Sequence, residues 1–226
     1  MTVRSRLLTV VALAAGTAAL GGCKTSGDIV VDEGVGITAI RSACPAVGVP
    51  DHTGDVTLFR NAGAGATADN IDVVAALTNV RSQCSDGGKK AATTPKVYSS
   101  VTFTVAARRT DTRGARTVTL PYFVTVLRGG TAVVSKRVAN VTLTFADGQE
   151  RATATGQGGA YIDRAEATLP ADIRKRITRK RKAGDIDAAI DPLAVPEVKA
   201  AVARATFEVL VGFQLDQQQL NYNATR

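Results

Sequence analysis

Tryptophan is absent from this chain of 226 residues, methionine and histidine occur once each, and aromatic residues make up 4%. With so few aromatics, a core has to be built from Val, Ile, Leu and Ala, and the 45% hydrophobic content supplies enough of them. The single histidine, His52, has no second imidazole with which to share a metal. The three cysteines include no Cys-x-x-Cys pair, which removes the usual zinc and dithiol redox signatures. No Gly-x-Ser-x-Gly elbow marks a nucleophile. Long apolar runs are also missing. The stretch Leu7–Leu20 is fourteen residues, short of the roughly 20 that cross a bilayer as a helix.

Charge is unevenly placed. Basic residues number 28 against 20 acidic ones, a formal net charge of +8. Seven of the cations crowd into one stretch: Arg174, Lys175, Arg176, Arg179, Lys180, Arg181 and Lys182. Outside it and the N-terminus the chain is close to balanced. A chain-wide basic surface, the footprint of a nucleic-acid binder, is therefore missing, and no nucleic acid is expected as a partner.

Arg4 and Arg6 precede the apolar stretch, and Leu20-Gly21-Gly22-Cys23 closes it. A basic start, a short apolar segment and a small-residue cleavage site form an export signal. The tetrapeptide resembles the lipobox of bacterial lipoprotein precursors. That resemblance implies cleavage before Cys23 and acylation of Cys23 at its sulfur and new amino group. Two or more acyl chains anchor stably where one does not. Lys24 follows where an Asp would mark retention at the inner membrane. The family's sorting tendency therefore points to the outer membrane, with the body facing the periplasm.

About 204 residues remain after the signal, enough for one domain. Residues 23–36 read as a lipidated tether and 37–226 as a single domain. Cys44 and Cys84 are an even pair of thiols in an exported chain, which reads as a structural disulfide.

From there to about Phe145 the pattern is strands. Ser99, Val101, Phe103 and Val105 alternate with Tyr98, Ser100, Thr102 and Thr104, a period of two in a β-branched run. Thr117–Leu127 repeats it, with Pro121 suggesting an edge strand or a bulge. Arg128-Gly129-Gly130-Thr131 is a hairpin turn, leading to Ala132–Val138 and Asn140–Phe145. Asp55–Arg60 and Ile71–Arg81 are earlier strands, and Thr206–Leu215 is a late one that returns to the sheet. Many short strands with glycine-rich turns predict an antiparallel β-sandwich of the immunoglobulin or fibronectin kind. Such sandwiches host many functions. The body also resembles exported proteins of Gram-negative bacteria that have no assigned function.

Two or three short helices are expected within the C-terminal third, as a basic insertion at about 170–204. Pro170 opens one that runs to Gly184, Pro196 opens a second, and Asp216–Tyr222 forms a third with Leu220 turned inward. In the first, Ile173 and Ile177 make an apolar stripe with Lys175, Arg179 and Lys182 opposite. Such a helix either lies on anionic lipid or is a solvated helix whose cations suit its dipole.

Other groups have plain readings. Asp185, Asp187 and Asp191 lack calcium-loop spacing and answer the neighbouring cations or cap the segment at Pro192. Gly156-Gln157-Gly158-Gly159 has no Lys-Ser/Thr to close a phosphate loop and reads as a loop. Asp163, Glu166 and Asp172 carry no motif, and His52 sits in a surface turn. No catalytic residue, metal or cofactor is expected. The chain reads as a non-catalytic structural or partner-binding module held to the envelope, with an envelope protein expected as partner. The alternative is a binder of anionic lipid or lipopolysaccharide phosphate through residues 173–182.

Overall fold

A computed structural model describes residues 42–61, 65–85, 93–182, 184–186 and 189–226. The expected signal and tether, with Cys23, lie outside the described residues, as does Asp187. The strands are β1 (Ala46–Gly48), β2 (Asp55–Phe59), β3 (Ile71–Ser85), β4 (Lys96–Arg109), β5 (Arg116–Arg128), β6 (Ala132–Phe145), β7 (Arg151–Asp163) and β8 (Phe207–Phe213). The helices α1 (Ala171–Thr178), α2 (Pro196–Ala205) and α3 (Gln217–Thr225) follow β7 or β8.

The expected β-sandwich is there. One sheet has the order β1-β8-β5-β6, the other β2-β3-β4-β7. Every pairing is antiparallel except the three-residue β1 beside β8. The period-two runs fill the space between the sheets, because alternate side chains of a strand share one face. Val101, Phe103 and Val105 of β4 are buried, as are Leu120, Tyr122 and Val126 of β5 and Val209, Val211 and Phe213 of β8. Each such side chain contributes roughly 1.5–3 kcal/mol by leaving water. Cys44 and Cys84 are disulfide-bonded, with Cα atoms 5.9 Å apart. The bond ties the segment leading into β1 to the far tip of β3.

The sequence Gly156-Gln157-Gly158-Gly159 is not a loop. It lies inside β7, paired with Ser100–Phe103 of β4. A Cβ at Gly156 would overlap the Phe103 ring, one at Gly158 would overlap Val124, and one at Gly159 would overlap Tyr98. The glycines are there so that bulky neighbours can lie down on the strand. Tyr122 of the opposite sheet uses the same closeness to donate its hydroxyl to the Gln157 carbonyl at 2.6 Å.

Pro121 is on neither an edge nor a bulge. Strand β5 is central, between β8 and β6. Its carbonyl accepts from Gln214 N at 2.9 Å, on the β8 side, and N–H and C=O of one residue point the same way in an antiparallel strand. The missing N–H therefore faces the point where β8 has just ended at Phe213, so no ladder bond is lost.

Helix α1 is shorter than expected. Pro170 is its N-cap and Thr178 its last residue, so the chain leaves the helix before Arg179. Gly184 has φ of 100°, but it turns the chain well past the helix end. Ile173 and Ile177 are buried against Val198 and Ala201 of α2 in a small second core. The helix pair docks at the β5–β6 hairpin, where Arg128 Nε donates to Arg204 O at 2.6 Å and Gly129 N to Thr206 O at 2.9 Å. That hairpin turns on Gly129 and Gly130, with φ of 64° and 78°.

Helix α3 is capped by Asp216 and Gln219 as a reciprocal box. Leu220 does not turn inward and is 37% exposed. The anchors are Asn223, whose side-chain amide donates to His52 O and Asp55 O at 2.8 Å each, and Tyr222, edge-on to Phe59 at 5.2 Å.

Candidate functional site

Strand β6 changes character halfway. Val141, Leu143 and Phe145 are buried, whereas all nine residues from Ala132 to Asn140 are exposed. Tyr122 pairs with Ala139 and Val124 with Arg137, which places Ala139 and Arg137 on the inward face with those two core residues. Both are nevertheless open to solvent, so the opposite sheet does not cover this half of the strand. Three valines stand on it, Val133, Val134 and Val138, at 65%, 55% and 56% exposure.

The same half-strand ends its sheet, and its outer edge has no partner among the described residues. Phe123 has the backbone orientation of Pro121, two residues away, so its peptide groups point towards β8. Opposite Phe123 and Pro121 on β6 are Val138 and Asn140. Their N–H and C=O groups accordingly point away from β5, along the open edge. Lys136, opposite Thr125, follows the same alternation. Its ammonium also lies 5.0 Å over the Phe123 ring. Bare donors and acceptors, exposed valines and a pair of cations thus coincide on one strand edge.

The feature has a sequence signal. Residues 141–145 alternate apolar and polar, whereas Ala-Val-Val-Ser-Lys-Arg-Val-Ala-Asn over 132–140 does not. A strand that loses its alternation has lost a covered face.

The structure separates the basic residues singled out above. Arg174, Lys175 and Arg176 are on α1, and Arg179, Lys180, Arg181 and Lys182 follow it in extended or irregular chain. The i, i+4, i+7 stripe of Lys175, Arg179 and Lys182 therefore does not form. Nor is the apolar stripe free to enter a bilayer, since Ile173 and Ile177 each retain 7% exposure against α2. Arg176 pairs with Glu197 at 2.9 Å, and Arg181 Nη1 donates to Ile190 O at 3.0 Å.

The acidic residues are engaged locally. Asp185 accepts from Lys182 N at 2.9 Å, and Asp191 caps the turn at Pro192 by accepting from Leu193 N at 2.9 Å. Asp163 accepts from Ala165 N at 2.9 Å, Glu166 pairs with Arg128 at 3.4 Å, and Asp172 is in the first turn of α1. His52 is exposed at a turn with φ of 64°. None of these converges on another. Among the described residues no group of three or more His, Cys, Asp or Glu could hold a metal ion, and no helix is long and apolar enough to cross a membrane.

Two polar arrangements lay outside the sequence reading. Arg116 forks onto Asp72 at 2.7 and 2.6 Å, and the carboxylate hydrogen bond holds the guanidinium's pKa above its ordinary value. Arg109 is buried and donates to four backbone carbonyls of two loops. The first arrangement ties β3 to β5, and the second gathers the connections after β4 and β6. No family model, curated protein or solved structure matches this chain.

Proposed function

We propose that this protein is a non-catalytic, envelope-anchored lipoprotein that binds an extended, acidic segment of another envelope protein by adding it as a strand to β6. The observation that carries the reading is the half-strand Ala132–Asn140, exposed on both faces and along its edge. Natural sheets blunt such edges with charge or cover them, and main-chain pairing at an open edge is a recurrent way of capturing a peptide.

Charge selects the occupant. Lys136 is the midpoint of Ala132–Asn140, so two copies pairing antiparallel about that centre would set Lys136 against its own equivalent, with an Arg137 from each copy beside the pair. Like charges directly opposite destabilise a strand pair. A partner strand with carboxylates at those places gains instead, and the exposed valines give it apolar contacts on alternate residues. Acyl chains at Cys23 would confine the domain to a membrane surface and raise the local concentration of such a partner.

The test is a photo-reactive residue at Val134 in cells of the natural host, followed by recovery of the cross-linked species from intact envelopes. A discrete adduct is expected whose cross-linked peptide is extended and acidic. An adduct to a basic or helical peptide, or none in repeated preparations, contradicts the proposal. Intact mass of the natural product tests the anchor: acyl chains on Cys23 are expected, and a free thiol there contradicts it.

A further inference from the structure

Beside α1, three arginines rim a cavity of about 220 Å³ whose floor is apolar. Arg176 comes from the last turn of α1, Arg179 is its C-cap and Arg181 follows; Ile190, Val195 and Val198 form the floor. At roughly 30 Å³ per water the space holds about seven waters. That suits a tetrahedral oxyanion and falls below the 300 Å³ or so at which drug-sized pockets begin.

Its electrostatics are incomplete. Glu197 answers Arg176 from a position 77% exposed, and the Asp185 carboxylate is occupied by Lys182 N. Arg181 uses Nη1 on Ile190 O, but its Nε is buried and meets no hydrogen-bond partner among the described residues. A buried donor left unmet costs free energy, more so when charged. Guanidinium groups cannot shed their charge, so three of them at one rim attract an anion at any physiological pH. Arginine is the side chain whose planar fork matches phosphate oxygens two at a time.

We infer that the cavity among Arg176, Arg179 and Arg181 binds a single phosphate group, either free in a soluble phosphoester or at the head of a membrane lipid. The inference relocates anion binding from a helix face to a pocket. It is independent of β6, since no residue is shared between the two sites.

The probes are inorganic phosphate and vesicles of phosphatidylcholine with or without phosphatidic acid. They are applied to the full chain carrying Cys23→Ser, so that no acyl chain drives partition. Saturable phosphate binding at one site per chain is expected, weakened about tenfold or more by Arg181→Gln and unchanged by Lys175→Gln on the exposed side of α1. Arg179→Lys keeps the charge and loses the fork; it should weaken binding while leaving the unfolding midpoint in place. Phosphate bound from solution identifies a soluble ligand. Preference for phosphatidic acid vesicles without phosphate binding identifies a headgroup. No binding to either probe overturns the inference, and so does an equal loss in Arg181→Gln and Lys175→Gln, which would mean diffuse surface charge.

Discussion

The guanidinium carbon of Arg109 lies 5.3 Å from the centre of the Phe145 ring, and both residues are closed to solvent, at 1% and 0% exposure. Among the described residues no carboxylate pairs with this buried cation. Its donors go to four backbone carbonyls, those of Gln149, Gly114, Thr112 and Ala146, at 2.7 to 2.8 Å. Those carbonyls belong to the connections after β4 and β6, so one side chain gathers two loops and closes that end of the sandwich. Lysine has three donors from one point where arginine has five in a rigid fork. Arg109→Lys should leave carbonyls unmet and lower stability by about 3 kcal/mol. Urea unfolding measures it, and a loss within experimental error would show that the loops hold themselves.

The glycines of β7 should differ in how much they resist a side chain. Phe103 is 1% exposed and packed edge-on to Tyr122 at 5.0 Å, so a methyl at Gly156 has nowhere to push it. Overpacking of this kind costs about 1–3 kcal/mol. Tyr98 is 40% exposed and can swing aside from Gly159. Gly156→Ala should therefore lower the unfolding free energy substantially and Gly159→Ala little. Equal effects would mean that the strand rather than the ring limits the site.

The Cys44–Cys84 bond spans 40 residues of sequence. Closing such a loop removes unfolded-chain entropy equivalent to about 4 kcal/mol. Cys84→Ser should lower stability by that order, and a reducing agent should do the same to the unaltered chain while sparing the variant. Calorimetric midpoints with and without reductant check both.

Asp111 accepts from Arg113 side-chain nitrogens at 2.9 and 2.6 Å and from its backbone N at 3.1 Å. The side-chain hydrogen bond, before other causes, holds the carboxyl well below the usual carboxylate range. The folded state then binds fewer protons here than the unfolded state. This contribution is full above the ordinary carboxylate pKa and fades as pH falls through and below it. Arg113 is exposed and Asp111 half-exposed, so the pair's share of stability is small and the titration itself is the readout. In a pH series followed by NMR, Asp111 should stay ionised well below the usual carboxylate range, and Arg113→Gln should return it to that range.

The sandwich was legible in the sequence because period-two alternation reports a covered face directly, as in Val118-Thr119-Leu120-Pro121-Tyr122. What stayed hidden depended on partners distant in sequence. The glycines of β7 look like a loop until Phe103 and Val124 are placed on them. Pro121 looks like an edge marker until β8 is seen to end beside it. The basic run looked like a longer helix because its composition favours one. The chain instead leaves α1 after Thr178, where Arg179 takes up extended backbone. The open edge of β6 was written in the failing alternation of 132–140. Its meaning as an edge needed the sheet order.

The proposal for β6 is tested most directly by Val138→Pro. The Val138 N–H points to the open edge, so proline there removes a donor that no ladder among the described residues uses, and its fixed φ suits an extended strand. The measurement is the yield of the Val134 cross-link in intact envelopes, with the unfolding free energy taken on the same variant. Loss of the adduct with the unfolding free energy held within about 0.5 kcal/mol is the expected result. An adduct that survives Val138→Pro at full yield on a stable protein would contradict strand addition at this edge.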